Sequence, residues 1–110
     1  MLTQEATGGS MLGEDDMPTY VLLSTLTDEG AKTIKKEPDR IKAVNQELET
    51  LGVTVKAQYA VLGPYDFVNI VDAPDNQTIA RVSAELASRG SIKIMTLSAI
   101  PIDEFISGLK

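Results

Sequence analysis

The alternation of apolar and polar positions predicts four β-strands along the chain. Residues 20–26 are apolar on both faces, a pattern typical of a central strand that is covered on both sides. Residues 53–61 alternate between apolar and more polar side chains, which predicts a half-buried strand. Residues 65–72 and 92–100 are two further apolar runs bounded by turn residues, so a third and a fourth strand are expected there.

Helical spacing of apolar residues marks three further segments. The first covers residues 28–51, and Pro38 should kink or divide it, because proline disfavours helical geometry at the residue before it. The second carries an apolar stripe and closes at Gly90. The third is short and opens at Pro101, with acidic residues in its first turn.

The order of these elements predicts an α+β fold of the ferredoxin-like βαββαβ type. Two helices should cover one face of a four-stranded antiparallel sheet, and the short C-terminal helix follows the last strand. We expect Phe67 and parts of the first and fourth strands on the opposite face, which is too apolar to remain in water. A second copy of the chain is the expected cover, so the protein should be a homodimer or a higher oligomer.

Composition divides the chain into a tail and one domain. Residues 1–16 hold three glycines and four acidic residues among scattered apolar ones, a composition that cannot offset the entropy lost on ordering. We therefore expect a flexible N-terminal tail over residues 1–16 and a single domain over residues 17–110. Met17 is a candidate natural start, in which case the tail is an upstream extension.

Charge and residue usage exclude several classes of function. The net charge is −6, and no cluster of basic residues interleaved with aromatic ones is present, so no nucleic-acid partner is expected. The sequence has no cysteine and no histidine, which excludes disulfides and thiolate metal sites and removes the commonest proton-transfer side chain. We expect no metal and no cofactor. An enzyme built on this chain would depend on Asp, Glu, Lys, Tyr or backbone groups.

The apolar runs also bear on localisation. The longest are far shorter than the roughly 20 residues that span a bilayer. The N-terminus has neither a basic nor an apolar signal region. The expectation is a cytoplasmic protein with no membrane partner.

Polar residues on the predicted strands form a candidate ligand site. They are Lys56 and Gln58 on the second strand, Tyr65 and Asn69 on the third, and Thr96 and Ser98 on the fourth, with Ser24 a further candidate on the first. These side chains converge if they line a cavity. Alternatively, the pair on the second strand faces solvent at a sheet edge, and those on the third face a partner subunit or make structural hydrogen bonds.

The segment Gly63-Pro64-Tyr65-Asp66 is the sharpest local motif. Glycine permits backbone conformations that other residues resist, and an aspartate can accept amide hydrogen bonds around a turn. The motif can therefore stabilise the turn between the second and third strands. The alternative is a ligand contact or an acid–base role for Tyr65 or Asp66.

Four segments make the domain resemble the GYD domain family. They are TDEG at residues 27–30, KEPDR at 36–40, GPYD at 63–66 and VDAPD at 71–75. The resemblance implies the dimeric α/β barrel, in which two ferredoxin-like sheets pack face to face and a ligand cavity often lies between sheet and helices. Cofactor-free monooxygenases and isomerases share that barrel with ligand-sensing modules, so the resemblance implies a small-molecule site without choosing a reaction.

Three functions remain open at this point. The first is a small-molecule-binding or regulatory homo-oligomer. The second is a cofactor-free enzyme acting on a small organic substrate, with Asp66 or Tyr65 transferring a proton and Lys56 or Asn69 orienting an oxygen. The third is a protein-interaction module that uses an exposed sheet face or edge. A cavity lined by both polar and apolar groups would favour the first two, and a flat dimer face with no enclosed volume would favour the third.

Overall fold

The computed structural model describes residues 17–110, which contain four strands and four helices. In chain order these are β1 (Thr19–Leu26), α1 (Asp28–Lys36), α2 (Arg40–Thr50), β2 (Thr54–Ala60), β3 (Phe67–Asp72), α3 (Asn76–Ala87), β4 (Ile92–Ala99) and α4 (Ile102–Leu109). The strands form one antiparallel sheet in the order β2-β3-β1-β4. This confirms the α+β ferredoxin-like prediction. The predicted tail, residues 1–16, lies outside the described residues.

The first helical segment is divided at Pro38, as predicted. α1 ends at Lys36 and α2 begins at Arg40. Between them, Glu37 has a non-helical backbone with φ −136° and ψ 73°. The amide of Arg40 donates to the Glu37 carbonyl at 3.0 Å, so the helical turn restarts within a few residues. Two short helices therefore lie on the sheet where an uninterrupted apolar stripe would have produced one long helix.

α1 begins at a cap that also ties it to the loop before β4. Thr27 Oγ1 accepts the amide of Gly30 at 3.1 Å and donates to the Gly90 carbonyl at 2.8 Å. The amide of Thr27 donates to the Ser91 carbonyl at 3.0 Å. Because the helix lies so close to Ser91, a Cβ on Gly30 would overlap with the Ser91 carbonyl oxygen. Gly30 is therefore required by a close backbone approach.

The core lies between the sheet and the helices. Its buried hydrophobic members come from β1, α2, β3, α3 and the segments beside them: Tyr20, Leu22, Leu48, Val53, Val71, Ala73, Ile79, Val82 and Leu86. In β1 the buried residues alternate, because successive side chains of a strand point to opposite faces. Each fully buried aliphatic side chain contributes about 1.5–3 kcal/mol relative to exposure, so this layer supplies most of the drive to fold.

A β-bulge interrupts the alternation of β2. Val55 is paired with Val71, but Ala57 and not Lys56 is paired with the next residue of β3, Ile70. The extra residue reverses the alternation beyond it. The sequence prediction of an uninterrupted alternating strand, with Lys56 and Gln58 on one face, was therefore wrong. Gln58 points towards the helices, and Lys56 reaches Asp72 on the other face, with 3.9 Å between Nζ and Oδ2.

The placement of Phe67 on the uncovered face was also wrong. Phe67 is paired with Ser24, whose side chain is buried on the helix side of β1, and both residues line a cavity beneath α1 and α2. The two faces of β3 are similarly apolar, so the strand alone does not reveal its orientation. The pairing with β1 decides it.

The face of the sheet opposite the helices is apolar, and no other element within residues 17–110 covers it. The register places on it Val21 and Leu23 of β1, Ala57 and Tyr59 of β2, Val68 and Ile70 of β3, and Met95 and Leu97 of β4. We call this surface the open face. Tyr59, Met95 and Leu97 are 61%, 49% and 44% exposed. The Lys56–Asp72 pair lies at one end of it.

The turn between β2 and β3 is fastened to the end of β1 by Asp66. Its carboxylate accepts the amide of Leu26 at 2.8 Å, and its own amide donates to the Ser24 carbonyl at 2.8 Å. The amide of Val61 closes the turn by donating to the Asp66 carbonyl at 2.9 Å. Gly63 has φ +118°, a conformation that favours glycine. Asp66 thus links the turn to the central strand.

Replacing Gly30 by alanine should destabilise the protein by about 1–3 kcal/mol, because the added methyl group overlaps with backbone that must move to accommodate it. Gly108→Ala is the matched control, since Gly108 is also helical and nothing lies within 4 Å of the position its Cβ would take. That control should be neutral or stabilising by up to about 1 kcal/mol. Urea unfolding measures both. Equal free energies of unfolding for the two variants would contradict the close approach.

Asp66→Ala should cost on the order of 1 kcal/mol, the usual scale for a lost hydrogen bond, whereas Asp66→Asn should be nearly neutral because its amide oxygen can accept from Leu26. Asp39→Ala is the control, since Asp39 is exposed and its side chain makes no capping hydrogen bond. Urea unfolding of the three variants gives the comparison. An Asp66→Asn variant as unstable as Asp66→Ala would show that the charge, and not the acceptor, stabilises the turn.

Candidate functional site

A cavity of about 130 Å³ lies between the sheet and the helices α1, α2 and α3. Each water molecule occupies about 30 Å³ in the liquid, so the cavity has room for about four. Most of its wall is apolar and is formed by Leu26, Ile34, Ile41, Val44, Leu48, Phe67, Leu86, Ile92 and Ile94. The space is therefore large enough for a small organic molecule and presents it with hydrocarbon on several sides.

Three side-chain amides lie in the wall of this cavity. Asn45 Nδ2 donates to Gln58 Oε1 at 2.8 Å, and Gln58 Nε2 donates back to Asn45 Oδ1 at 3.3 Å. Gln58 is paired with Asn69 across β2 and β3, on the side that faces the helices. Asn69 Oδ1 is buried and has no hydrogen-bond partner among the described residues. A buried acceptor of this kind is costly, about 1–3 kcal/mol, unless a molecule inside the cavity donates to it.

Two arginines are the only charged residues that line the cavity in the described part of the chain. Arg89 is neutralised, because its Nη1 donates to Glu47 Oε1 at 2.8 Å and its Nη2 contacts the carboxylates of Glu47 and Glu85. The hydrogen bond from Arg89 lowers the pKa of Glu47. Arg40 takes part in none of the ion pairs formed within residues 17–110. Arg40 is exposed and has no direct ion-pair partner among the described residues, and its charge contributes to the lowered pKa of Glu47, so it places a positive charge at the solvent side of the cavity.

The structure divides the residues predicted to form a ligand site. Gln58, Asn69 and Ser24 line the cavity together. Lys56 instead pairs with Asp72 at the end of the open face. Its separation from Gln58 follows from the bulge in β2.

The other predicted site residues lie elsewhere. The hydroxyl of Tyr65 donates to the sulfur of Met95 at 3.7 Å, so this side chain lies against the open face. Thr96 shares a hydrogen bond of 2.9 Å with Ser83 of α3. Ser98 and Gly63 line no part of the cavity. A ligand-binding role for these residues stays a prediction, as it does for Asp66, whose carboxylate accepts from the backbone of β1.

Sequence reasoning did not identify Asn45 and Arg40 as cavity residues. The signal for Asn45 was present, because it shares a helix face with Ile41 and Leu48 and so interrupts an apolar stripe with an amide. Arg40 gave no such signal. An arginine at the start of a helix normally faces solvent, and only the position of the cavity mouth gives it another role.

The C-terminal helix α4 is a second candidate functional feature, separate from the cavity. Ile102, Phe105, Ile106 and Leu109 are 67%, 49%, 44% and 73% exposed. Their spacing of i, i+3, i+4 and i+7 places them on one stripe of the helix. A groove of about 780 Å³ lies at the base of α4, where Pro101 and Ile100 meet the end of the sheet. The helix therefore presents apolar side chains without a partner in the described chain.

Two further searches concern metals and membranes. Within residues 17–110, no group of three or more acidic side chains is placed to hold one metal ion. No helix in the same range is long and apolar enough to span a bilayer.

A relative in Thermus thermophilus is 64% identical to this chain over 95 residues. The alignment covers 86% of this chain and 100% of the relative, which is named glutamine synthetase and cystathionine beta-lyase binding protein. Among solved structures, the leucine response regulatory protein of Mycobacterium tuberculosis matches with a TM-score of 0.57 and 12% identity. That match covers 84% of this chain and 59% of the regulator, and it shows a common fold.

The family comparison agrees with the motifs found in the sequence. The family profile described as GYD domain matches residues 20–109. This range contains all four helices and all four strands except Thr19, the first residue of β1. The match spans the TDEG cap of α1, the division at Pro38 and the turn held by Asp66. The chain belongs to the GYD domain family.

Proposed function

We propose that this chain is a homodimeric binding protein whose partners include a glutamine synthetase and a cystathionine β-lyase. The observation that carries the proposal is the relative named for binding these two enzymes, which is 64% identical and is covered over its full length. The fold supports it with two exposed apolar surfaces, the open face and the stripe of α4. A dimer needs the first of these surfaces, and an enzyme can bind the second.

The open face is the surface we assign to the second copy. Four strands lie about 4.8 Å apart, and each is roughly six residues long with a rise of about 3.3 Å per residue, so the face has an area of roughly 400 Å². Contiguous apolar patches of this size mark interaction surfaces. A sheet face is flat and can pack against its own symmetry mate, as a two-fold interface requires. Packing two open faces together would form the dimeric α/β barrel implied by the family resemblance.

The stripe of α4 is the surface we assign to the enzymes. Anchors at i, i+3, i+4 and i+7 are the pattern by which an amphipathic helix binds an apolar groove. Phe105 stands at the middle of the stripe, and aromatic residues in such positions often dominate binding energy. The opposite side of the helix is polar and carries Glu104 and Ser107. The helix thus has one face for a partner and one for solvent.

Leu97→Glu should convert the dimer into a monomer, because the new carboxylate would be buried without a partner within the interface. Leu62→Glu is the matched control, since Leu62 lies in a turn and is fully exposed. Light scattering at micromolar concentration should give twice the 11.8 kDa chain mass for the native protein and this control. A native monomer, or a Leu97→Glu variant that remains dimeric, would refute the assignment of the open face.

Phe105→Glu should weaken binding to purified glutamine synthetase and cystathionine β-lyase by about 30-fold, the loss typical of an aromatic anchor. Ser107→Glu adds the same charge to the opposite side of α4 and should bind like the native protein. Surface plasmon resonance measures the affinity, and light scattering checks that both variants remain dimers. If Phe105→Glu instead dissociates the dimer, α4 belongs to the dimer interface. If the native protein binds neither enzyme, the proposed function is wrong.

A further inference from the structure

We propose that the cavity beneath α1 and α2 is a binding site for a small, mainly apolar carboxylate with a hydroxyl group at its far end. Asn69 Oδ1 would accept the hydrogen bond of the hydroxyl, and Arg40 would pair with the carboxylate. This site is separate from the open face and from α4. The inference therefore does not depend on the binding of either enzyme.

The apolar body of the ligand follows from the walls. Nine of the lining side chains are aliphatic or aromatic, and they come from the sheet and all three covering helices. An apolar cavity of about 150 Å³ holds benzene, so this one fits an apolar body of roughly six non-hydrogen atoms, with the carboxylate outside it at the mouth. Water fills such a space poorly, because only a few polar atoms in the wall can hydrogen-bond to it. A hydrocarbon chain would contact the whole wall.

The hydroxyl group follows from Asn69. Its amide oxygen is buried and has no donor within residues 17–110, whereas the Asn45 and Gln58 amides already donate to each other. The deep end of the cavity therefore needs a donor from the ligand. The lining contains no acidic residue, so nothing would neutralise an ammonium group placed there. A neutral hydroxyl is the donor that fits.

The carboxylate follows from the difference between the two arginines. The contacts with Glu47 and Glu85 occupy the guanidinium of Arg89. Arg40 is in no ion pair within the described residues and is exposed, which places its charge near the mouth. Arginine binds carboxylates through paired N–H donors. A ligand with its hydroxyl on Asn69 would thus direct its acidic end outward to Arg40.

Four probes of nearly equal length separate these contributions: 6-hydroxyhexanoate, hexanoate, hexanediol and 6-aminohexanoate. Titration calorimetry and amide chemical shifts of the native protein measure their affinities. We expect 6-hydroxyhexanoate to bind about tenfold more tightly than hexanoate, which lacks the donor, or hexanediol, which lacks the charge. The amino compound should bind more weakly than the hydroxy compound. Shifts should centre on the residues that line the cavity.

Two variants assign the contacts. Asn69→Leu should lower the affinity for 6-hydroxyhexanoate to that for hexanoate, and Arg40→Gln should lower the affinity for 6-hydroxyhexanoate to that for hexanediol. Lys42→Gln is the control, because Lys42 is on the same helix and does not line the cavity. If Asn69→Leu does not fold, the ranking of the four probes on the native protein still decides. The proposal would be overturned by equal affinities for the four probes, by a preference for the amino compound, or by no binding at millimolar concentration. Absence of binding would mean that the cavity holds only water.

Discussion

β1 lies in the middle of the sheet with apolar side chains on both of its faces, and the described part of the chain covers only one of them. On the helix side, Tyr20 and Leu22 are buried in one core cluster with residues of α2 and α3. On the other side, Val21 and Leu23 belong to the open face. A strand that is apolar on both faces is stable only between two layers. The requirement for a second layer therefore arises in the strand on which the rest of the sheet is assembled.

Other features of the fold serve to hold β1 in its place. The Asp66 carboxylate and amide bind the backbone of its C-terminal end. Immediately after the strand, Thr27 caps α1 and ties it to the loop before β4. These contacts fix the ends of the elements around the cavity, so the cavity lies between parts that are hydrogen-bonded to one another. A binding site gains precision from such support.

The order of the helices and strands could be predicted from the sequence, because strong local signals mark the boundaries of these elements. Pro38 divided the first helical segment, and Pro101 opened the last helix, as expected from the stereochemistry of proline. The face of the sheet on which a strand side chain lies was harder to predict. Phe67 lies in a strand that is apolar on both sides, so its face depends on pairing with a distant strand. The bulge at Lys56 has no local signature and reverses every assignment beyond it.

The candidate cavity was predictable in its location and less so in its residues. Its polar wall combines Asn45 from α2, Gln58 from β2 and Asn69 from β3, and only tertiary packing brings these amides together. Gln58 and Asn69 could be proposed because amides in strands need partners when buried. Asn45 required the further knowledge of which side of α2 faces the sheet. The periodicity of apolar residues identifies the side of α2 that faces the sheet only when Asn45 is counted as part of the stripe that it interrupts.

β2 serves two compartments, and its bulge accommodates one extra residue without exchanging them. Before it, Val55 contacts the core, and after it Gln58 faces the cavity while Tyr59 lies on the open face. Deleting Lys56 would leave Val55 and Ala57 as neighbours opposite Val71 and Ile70, so the alternation would run without a break, with Gln58 still facing the cavity and Tyr59 still on the open face. The extra residue thus adds Lys56 and its contact with Asp72 at the end of the open face without exchanging the two compartments. Relatives without the insertion would keep the same internal chamber and outer surface and would lose only this charge pair.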